Sequence, residues 1–178
     1  MKFEPTPLAG AFLIVLEPRR DERGSFARTF CSREFAAAGL ATEFVQTNMS
    51  VSAQAGTLRG MHFQRGAASE DKLVRAVAGR ILDVIIDLRP DSRTYGQHYK
   101  VELFADNDRM LYVPRGFAHG FLTLVADCQV VYQVSNHYHP ELEGGVRWDD
   151  PYFGIDWPVR KPILSVRDAA FPDFKPER

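Results

Sequence analysis

The sequence has few cysteines, little net charge and no long apolar run, and each of these absences narrows the possible functions. Its two cysteines, Cys31 and Cys128, cannot build a disulfide framework or a zinc site. The formal net charge of -1 argues against a broad nucleic-acid-binding face, which needs a clustered basic excess. No stretch approaches the roughly 18 apolar residues of a membrane helix, and residues 1–10 do not resemble a signal peptide. We therefore expect a cytoplasmic protein with reduced thiols and with neither nucleic acid nor membrane as a partner.

Flexible linkers, internal repeats and low-complexity tracts are missing as well. The chain of 178 residues is ordinary in composition, with 45% hydrophobic and 25% charged residues, and is long enough to bury a sizeable core. We therefore predict a single domain over residues 1–178.

Short β-like runs separated by glycine and proline turns make up most of the chain. A helix is predicted over residues 32–38, with Ser32 as its cap and Gly39 at its end. Five prolines from Pro151 onward predict an irregular tail. This pattern favours an all-β fold, a cupin-like jelly-roll barrel with a few short helices. The predicted strands are 11–16, 26–30, 44–52, 73–78, 80–88, 99–104, 109–113, 121–125 and 130–135.

Residues 44–52 alternate in polarity with a period of two, which is typical of a strand with two unlike faces. One face carries amides and hydroxyls, from Gln46, Asn48, Ser50 and Ser52. Such a face is either solvated or lines a wet cavity. Taken alone, the segment favours the solvated surface.

The segment from Gly56 to Gln64 contains the first candidate for chemistry, because Arg59 lies three residues before His62. Strict alternation would put these two side chains on opposite faces of a strand. Gly60 lies between them and would allow a bulge that brings them together. Arg59 would then bind an anion beside a base. The alternative is a surface arginine and a hydrogen-bonded core histidine.

The segment from Pro114 to Phe121 puts His119 directly after a rigid turn and resembles the second cupin motif. In metal-dependent cupins the first motif offers two histidines separated by one residue. Here the matching positions are His62 and Gln64, and an amide is a poor replacement for an imidazole ligand. We therefore predict that the protein binds no metal.

Four further residues are compatible with either a functional or a structural role. Lys72 could stabilise a negative oxygen or simply be solvated. Tyr132 could be an acid or a core ring, and Tyr138 could stack on a planar base. Asp168 would raise the basicity of an imidazole if the two met, but sequence spacing cannot establish that contact.

Seven segments taken together resemble the dTDP-4-dehydrorhamnose 3,5-epimerase family of the cupin superfamily. They occur in order over nearly the whole chain, and the ordered set is much more specific than any single motif. The segments are DERGSF (21–26), QTN (46–48), TLRGMHFQ (57–64), KLVR (72–75), PRGFAHGF (114–121), WDDP (148–151) and SVRD (165–168).

The resemblance implies a homodimeric jelly-roll isomerase that inverts C3, C5 or both in a nucleotide-linked 4-keto-6-deoxyhexose, without a cofactor. It implies that His62 is the base, paired with Asp168, and that Tyr132 is the acid on the other face of the sugar. Lys72 would steady the enolate oxygen at C4. This chemistry is physically reasonable, because a C–H bond beside a ketone needs only a base, an acid and a donor at the oxygen. The residues implied to hold the sugar nucleotide are Arg23, Phe26, Arg28, Gln46, Asn48, Arg59, His119, Tyr138, Glu143 and Arg167.

Two positions depart from the family pattern. Arg28 stands where typical members have a glutamate, and Gln133 stands where many have a lysine next to Tyr132. The first departure adds positive charge near the implied nucleotide site, so the identities of the base and the sugar stay open. The alternatives are a single-carbon epimerase or ketoisomerase acting on another nucleotide 4-keto sugar, and a non-catalytic cupin that binds a sugar nucleotide.

Overall fold

The computed structural model describes residues 1–176, and short strands dominate this part of the chain. Two helices are present in it, α1 (Ser32–Ala37) and α2 (Val166–Ala169). The strands are β1 (Lys2–Pro5), β2 (Phe12–Val15), β3 (Arg19–Asp21), β4 (Gly24–Phe26), β5 (Gln46–Ser52), β6 (Leu58–Gln64), β7 (Lys72–Ala78), β8 (Arg80–Asp87), β9 (His98–Phe104), β10 (Arg109–Val113), β11 (Phe117–Thr123), β12 (Cys128–Val134) and β13 (Glu143–Gly145).

The strands form two large antiparallel sheets and one small hairpin. The six-stranded sheet has the order β1-β2-β10-β7-β12-β5, and the five-stranded sheet has the order β13-β6-β11-β8-β9. Within residues 1–176, strands β3 and β4 pair only with each other. Many connections cross between the two large sheets, as in a jelly roll. The prediction of an all-β, cupin-like jelly-roll barrel with a few short helices is therefore confirmed. The single domain predicted over residues 1–178 stays a prediction, and residues 177 and 178 lie outside the described part.

The central core lies between the two large sheets. Val74 and Leu111 from the six-stranded sheet pack in the same cluster as Ile81, Ile85 and Leu103 from the five-stranded sheet. All of these side chains are fully buried. This apolar core holds the sheets face to face and fixes the walls of the cavity described below.

Each large sheet is also covered in part on its outer face. Phe153 and Trp157 of the C-terminal tail pack on the outer face of the five-stranded sheet, and Phe35 of α1 packs on the six-stranded sheet. Strand β8 is therefore buried on both faces, with Ile85 in the central core and Ile86 in the outer cluster. This double burial explains its nearly continuous apolar run.

Two local predictions at the start of the chain are wrong. Helix α1 begins at Ser32 itself and its cap residue is Cys31, and no side chain among the described residues makes a capping hydrogen bond. Residues 27–30 form no strand, because β4 ends at Phe26 and its one partner is the three-residue β3. The end of the helix is as predicted, since Gly39 adopts a positive φ of 71° directly after the cap residue Ala38.

The tail from Pro151 is mostly irregular, as its prolines predict. It is anchored by the backbone N–H of Phe174, which donates to the buried Asp150 carboxylate at 2.6 Å. Among residues 1–176, no helix has the length and apolar character needed to span a bilayer.

Candidate active site

A cavity of about 950 Å³ opens between the two large sheets. Its walls come from β5, β7 and β12 of the six-stranded sheet, from β6 and β11 of the five-stranded sheet, and from the tail around α2. Most of the sequence-predicted site residues line this one cavity: His62, Asp168, Tyr132, Lys72, Gln46, Asn48, Arg59, His119, Tyr138, Glu143 and Arg167.

Strand β6 brings Arg59 and His62 to the same wall through a bulge. Arg59 pairs with Phe121 of β11 and His62 pairs with His119, so one β11 residue lies opposite two residues of β6. The extra residue shifts the alternation of side chains by one position. Arg59 and His62 therefore lie on the same face of β6, and both line the cavity. The bulge that Gly60 would allow is therefore present, and the alternative of a surface arginine and a core histidine is wrong.

Arg59 is held by two acceptors on strand β5, which belongs to the other large sheet. Its Nε donates to the Ser52 hydroxyl at 3.1 Å, and its Nη2 donates to the Val51 carbonyl at 3.1 Å. The guanidinium is thereby fixed along the mouth of the cavity, where it can present its remaining N–H groups to an anion.

His62 and Asp168 form a close pair although 106 residues separate them in the sequence. The Nε2 atom of His62 lies 2.7 Å from Oδ1 of Asp168, and the carboxylate is almost completely buried. Its second oxygen accepts the backbone N–H of Gly60 at 3.3 Å. Burial by itself would raise the pKa of Asp168, but these hydrogen bonds and the charge of His62 outweigh it and hold the pKa below its usual range. Within the described residues Nδ1 of His62 has no hydrogen-bond partner, so it is the ring nitrogen left for a substrate.

Ser165 explains why Asp168 occupies this position. It is the N-cap of α2, and its hydroxyl accepts the backbone N–H of Asp168 at 3.0 Å. The cap fixes the one-turn helix that carries the carboxylate.

The polar face of β5 lines the cavity, so the preference for a solvated face is wrong. Asn48 pairs with Tyr132 of β12, which pairs in turn with Val74 of β7. Two residues further along β12, Val134 pairs with Gln46 of β5 on one side and with Lys72 of β7 on the other. Side chains opposite one another in an antiparallel sheet share a face, so these polar groups form a patch on the wall that faces His62.

Tyr132 is partly buried in this wall. Burial is the main reason why the pKa of its phenol is raised, and the negative charge of Glu70 adds to the effect. The phenol is therefore protonated at neutral pH and is available as an acid.

Tyr138, Glu143 and Arg167 form a hydrogen-bonded group at the edge of the cavity. The Tyr138 hydroxyl donates to Glu143 Oε2 at 2.7 Å, and Arg167 donates to the same oxygen at 2.6 Å. The backbone N–H of Tyr138 also donates to Gln46 Oε1 at 2.8 Å. This group joins the tail to β5 and β13 and leaves the Tyr138 ring half exposed, where it can stack on a planar base.

His119 belongs to a second, deeper imidazole–carboxylate pair. Its Nε2 atom lies 2.6 Å from Oδ1 of the fully buried Asp83. The other carboxylate oxygen of Asp83 has no hydrogen-bond partner among residues 1–176. Over the same residues, no group of three histidine, cysteine or carboxylate side chains is close enough to hold a metal ion.

Three of the predicted site residues lie outside the cavity. Phe26 is 74% exposed, Arg23 pairs with Asp21, and Arg28 pairs with Glu34 at 3.2 Å. They belong to or follow the β3–β4 hairpin, which is attached beside β2 and β10, whereas the cavity is at the β5 end of the sheet. The structure therefore does not bring them to the cavity of their own chain.

Sequence reasoning missed two residues that line the cavity, Gln64 as a structural amide and Glu70 as a carboxylate. Glu70 Oε1 lies 3.2 Å from Lys72 Nζ, and Glu70 Oε2 accepts from Gln64 at 2.9 Å. Glu70 precedes Lys72 by two residues, so the period of two in an extended chain was the signal that could have found it.

Comparison with known proteins gives one consistent family. The family model described as dTDP-4-dehydrorhamnose 3,5-epimerase matches residues 5–176. A curated relative of that name from Methanothermobacter thermautotrophicus is 48% identical over 180 residues, which cover 99% of this chain and 95% of the relative.

Solved structures agree with this result. The enzyme of the same name from Bacillus anthracis, with TDP and PPi bound, superposes with a TM-score of 0.94 at 42% identity, covering 97% of this chain and 99% of the other. ChmJ, a 3'-monoepimerase from Streptomyces bikiniensis in complex with dTDP-quinovose, superposes with a TM-score of 0.88 at 33% identity, covering 95% and 86%. The fold, the cavity and these similarities together lead to one conclusion: the chain belongs to the dTDP-4-dehydrorhamnose 3,5-epimerase family.

Proposed function

We propose that the protein inverts C3 and C5 of a dTDP-linked 4-keto-6-deoxyhexose by removing and returning protons beside the ketone. The observation that carries the proposal is the arrangement of the cavity. His62, paired with Asp168, lies on one sheet, and Tyr132 lies on the opposite sheet. The cavity of about 950 Å³ is large enough for a nucleotide-linked sugar.

In this proposal His62 is the base and Tyr132 is the acid. Nδ1 of His62 takes the proton from a carbon next to C4, and the electron pair of the broken C–H bond delocalises onto the C4 oxygen. The Lys72 ammonium donates to that enolate oxygen. Tyr132 then gives its proton to the opposite face of the same carbon, which inverts it. These steps need a base, an acid and a donor, and no metal or redox cofactor.

The remaining polar groups of the cavity are proposed to hold the nucleotide and the sugar. Arg59 suits the diphosphate, because a guanidinium binds phosphate oxygens in a bidentate manner. The half-exposed ring of Tyr138 suits the thymine base. The others proposed to contact substrate are Gln46, Asn48, His119, Glu143 and Arg167, which all line the cavity.

We further propose that the protein works as a homodimer in the cytoplasm. The outward face of β5 supports a dimer, because Met49 and Val51 are 64% and 53% exposed beside the cavity. A second copy would also give a role to Phe26 and Arg28, which lie away from the cavity of their own chain. The unpaired thiols are in keeping with a reducing compartment.

A second candidate is epimerisation at one carbon alone. The similarity to a 3'-monoepimerase favours keeping it, because that protein has the same fold at 33% identity. The two candidates share the base and the acid, and they differ in how many carbons exchange and invert.

The test incubates the protein with dTDP-4-keto-6-deoxyglucose in deuterated water and follows C3 and C5 by NMR. The wild type should exchange and invert both carbons. His62→Asn should lower exchange about 10²- to 10⁴-fold, because it removes the base. Tyr132→Phe should lower inversion much more than exchange, since His62 can still remove a proton and return it to the same face.

Matched controls come from outside the cavity. His139→Asn and Tyr152→Phe remove exposed groups of the same kinds and should leave both rates unchanged. Exchange at one carbon would favour the second candidate. Stabilisation of the protein by dTDP without any exchange would instead indicate a non-catalytic binding protein and overturn the proposal.

A further inference from the structure

Glu70 is a nearly buried carboxylate in the cavity that the proposed reaction does not use. Its side chain is 10% exposed and that of Lys72 is 11% exposed. The two residues project to the same side of the extended chain, as residues two apart do. Asp71 between them projects to the other side, where it accepts the Tyr112 hydroxyl at 2.8 Å and pairs with Arg115 at 2.8 Å. The backbone that carries both cavity residues is therefore anchored from behind.

Gln64 fixes one end of Glu70. The Gln64 Oε1 atom accepts the backbone N–H of His139 at 2.7 Å, so its amide nitrogen must face the other way. That nitrogen lies 2.9 Å from Glu70 Oε2, 3.1 Å from the Ala68 carbonyl and 3.0 Å from the His137 carbonyl, so its two N–H groups are shared among three acceptors, of which Glu70 is the nearest. The orientation of the buried Gln64 amide is thus fixed, and its nitrogen holds the Glu70 carboxylate in place.

The free end of Glu70 meets Lys72. Oε1 of Glu70 lies 3.2 Å from the Lys72 ammonium, and within residues 1–176 no other carboxylate lies within ion-pair distance of it. An ammonium has three N–H bonds, so an ion pair with one carboxylate leaves N–H groups available for a ligand in the cavity. Tyr132 shares this wall, and the charge of Glu70 helps to keep its phenol protonated by raising its pKa.

We propose that Glu70 is a positioning residue, which holds the Lys72 ammonium at the point where the enolate oxygen develops. This inference rests on the proposed function. Lysine has a long and flexible side chain, whereas a donor stabilises a developing charge best when it is already in place. Backbone contacts hold Gln64, Gln64 holds Glu70, and Glu70 holds the Lys72 ammonium. The ammonium is therefore already in place beside the reacting oxygen.

The kinetic test compares Glu70→Gln in the wild type and in a Lys72→Gln background. Glutamine keeps the size of Glu70, but it removes the charge and replaces one acceptor oxygen with a donor nitrogen. In the wild type it should lower kcat for exchange about 10- to 100-fold, with KM within about twofold. In the Lys72→Gln background it should change kcat less than about twofold, because Glu70 acts through Lys72.

The matched control is Asp156→Asn. It removes a carboxylate from another lysine pair, with Lys100, in which Asp156 is 98% exposed. Its kcat should equal that of the wild type. An equal loss of kcat from Glu70→Gln in both backgrounds would overturn the proposal, as would full activity of Glu70→Gln.

A structural test separates this inference from the proposed function. Crystal structures of the wild type and of Glu70→Gln should differ in the position of Lys72 Nζ, which should move by more than about 1 Å or become disordered once its partner is gone. An unmoved Lys72 would overturn the positioning role whatever the activity. A displaced Lys72 in a protein that exchanges no protons would support the positioning role and refute the proposed function.

Discussion

At the scale of single residues, the chemistry proposed for the cavity depends on how the His62 ring is oriented. Asp168 binds Nε2 at 2.7 Å, and Phe171 packs edge-on against the ring at 6.1 Å between centroids. One contact fixes which nitrogen carries the proton, and the other limits rotation of the ring. Both partners come from the tail, so the base of the proposed reaction lies on a strand but is oriented by a different part of the chain.

Asp168→Asn should lower kcat about 10²- to 10³-fold and leave KM within about threefold, because the substitution removes the anion that supports the imidazole. The measurement is the steady-state rate of epimerisation. Asp173→Asn is the control, since Asp173 is an exposed carboxylate of the same tail, paired with Arg147. An Asp168→Asn enzyme of wild-type kcat would contradict the assigned pair.

The pH dependence of this loss follows from the lowered pKa of Asp168. A carboxyl whose pKa is lower in the folded state stabilises the fold fully when the pH is above its ordinary pKa of 3.8. This stabilisation is lost as the pH falls through the lower pKa of the folded state. Asp168 is therefore fully ionised from about pH 5 to about pH 8. Over that range Asp168 itself does not titrate, so the loss of kcat caused by Asp168→Asn should be present at every pH measured between those limits.

The sequence predicted the ionisable residues of the cavity better than it predicted the residues that hold them in place. The resemblance pointed to His62 and Lys72, and the structure brings both to one cavity. Gln64 has a supporting role that depends on backbone groups, those of residues 68, 137 and 139. Contacts to backbone leave no trace in the types of the contacted residues, so no sequence pattern could reveal them.

At the scale of elements, β6 and β11 approach each other unusually closely at two glycines. Gly60 has a φ of 134°, and a Cβ there would lie 2.5 Å from Cα of Gly120. A Cβ at Gly120 would in turn lie 2.7 Å from Sδ of Met61. The bulge that turns Arg59 and His62 to one side therefore requires glycine on both strands.

Gly60→Ala should lower the free energy of unfolding by about 2–5 kcal/mol, since it combines an unfavourable φ with overpacking against backbone. Urea denaturation measures this loss. Gly24→Ala separates the two causes, because Gly24 has a similar φ of 122° but an added Cβ there would have no atom of residues 1–176 within 4 Å beyond its chain neighbours. It should cost about 1–2 kcal/mol. Equal losses in the two variants would contradict the close approach of the strands.

The alternation in β5 was enough to predict the strand but not the direction in which it faces. The observed strand, Gln46–Ser52, lies within the predicted range, and its polar residues share a face as expected. That face points inward because its neighbours β12 and β7 line a wet cavity rather than a dry core. Which side of a strand is inside depends on distant strands, and a local pattern does not contain that information.

At the scale of the whole molecule, the two outer faces are covered unequally. The tail covers the five-stranded sheet, whereas α1 and its loop cover the β2–β10 side of the six-stranded sheet. The β5 side keeps Val45, Met49 and Val51 exposed, and Val77 of β7 lies on the same sheet. Apolar groups gathered in this way are typical of a surface that another protein covers.

The proposed homodimer makes a prediction about mass. Light scattering of the wild type should give twice the chain mass of 20.1 kDa. A Met49→Asp, Val51→Asp double variant should shift toward the single-chain mass, because two charges would be buried without partners. Val125→Asp, at an exposed valine before β12, is the control and should stay dimeric. A wild-type mass of one chain would contradict the proposal.

Co-expression tests whether the hairpin serves the partner's cavity. His62→Asn and Phe26→Ala chains should each be inactive alone, whereas the mixed dimer should regain part of the activity. One of its cavities would combine an intact His62 with an intact Phe26 from the other chain. Failure to regain activity in an isolated mixed dimer would leave Phe26 without the proposed role.

The anchoring of Asp168 on the tail has a consequence for the order in which the protein matures. The strands that carry Arg59, Gln46 and Asn48 all precede the end of β12 in the sequence, and the carboxylate of Asp168 follows more than thirty residues later. A chain whose two large sheets have formed before its last segment docks would already present Arg59, Gln46 and Asn48 to a ligand, but its His62 would lack the carboxylate partner. In such a chain, ligand binding would therefore precede catalytic turnover during maturation.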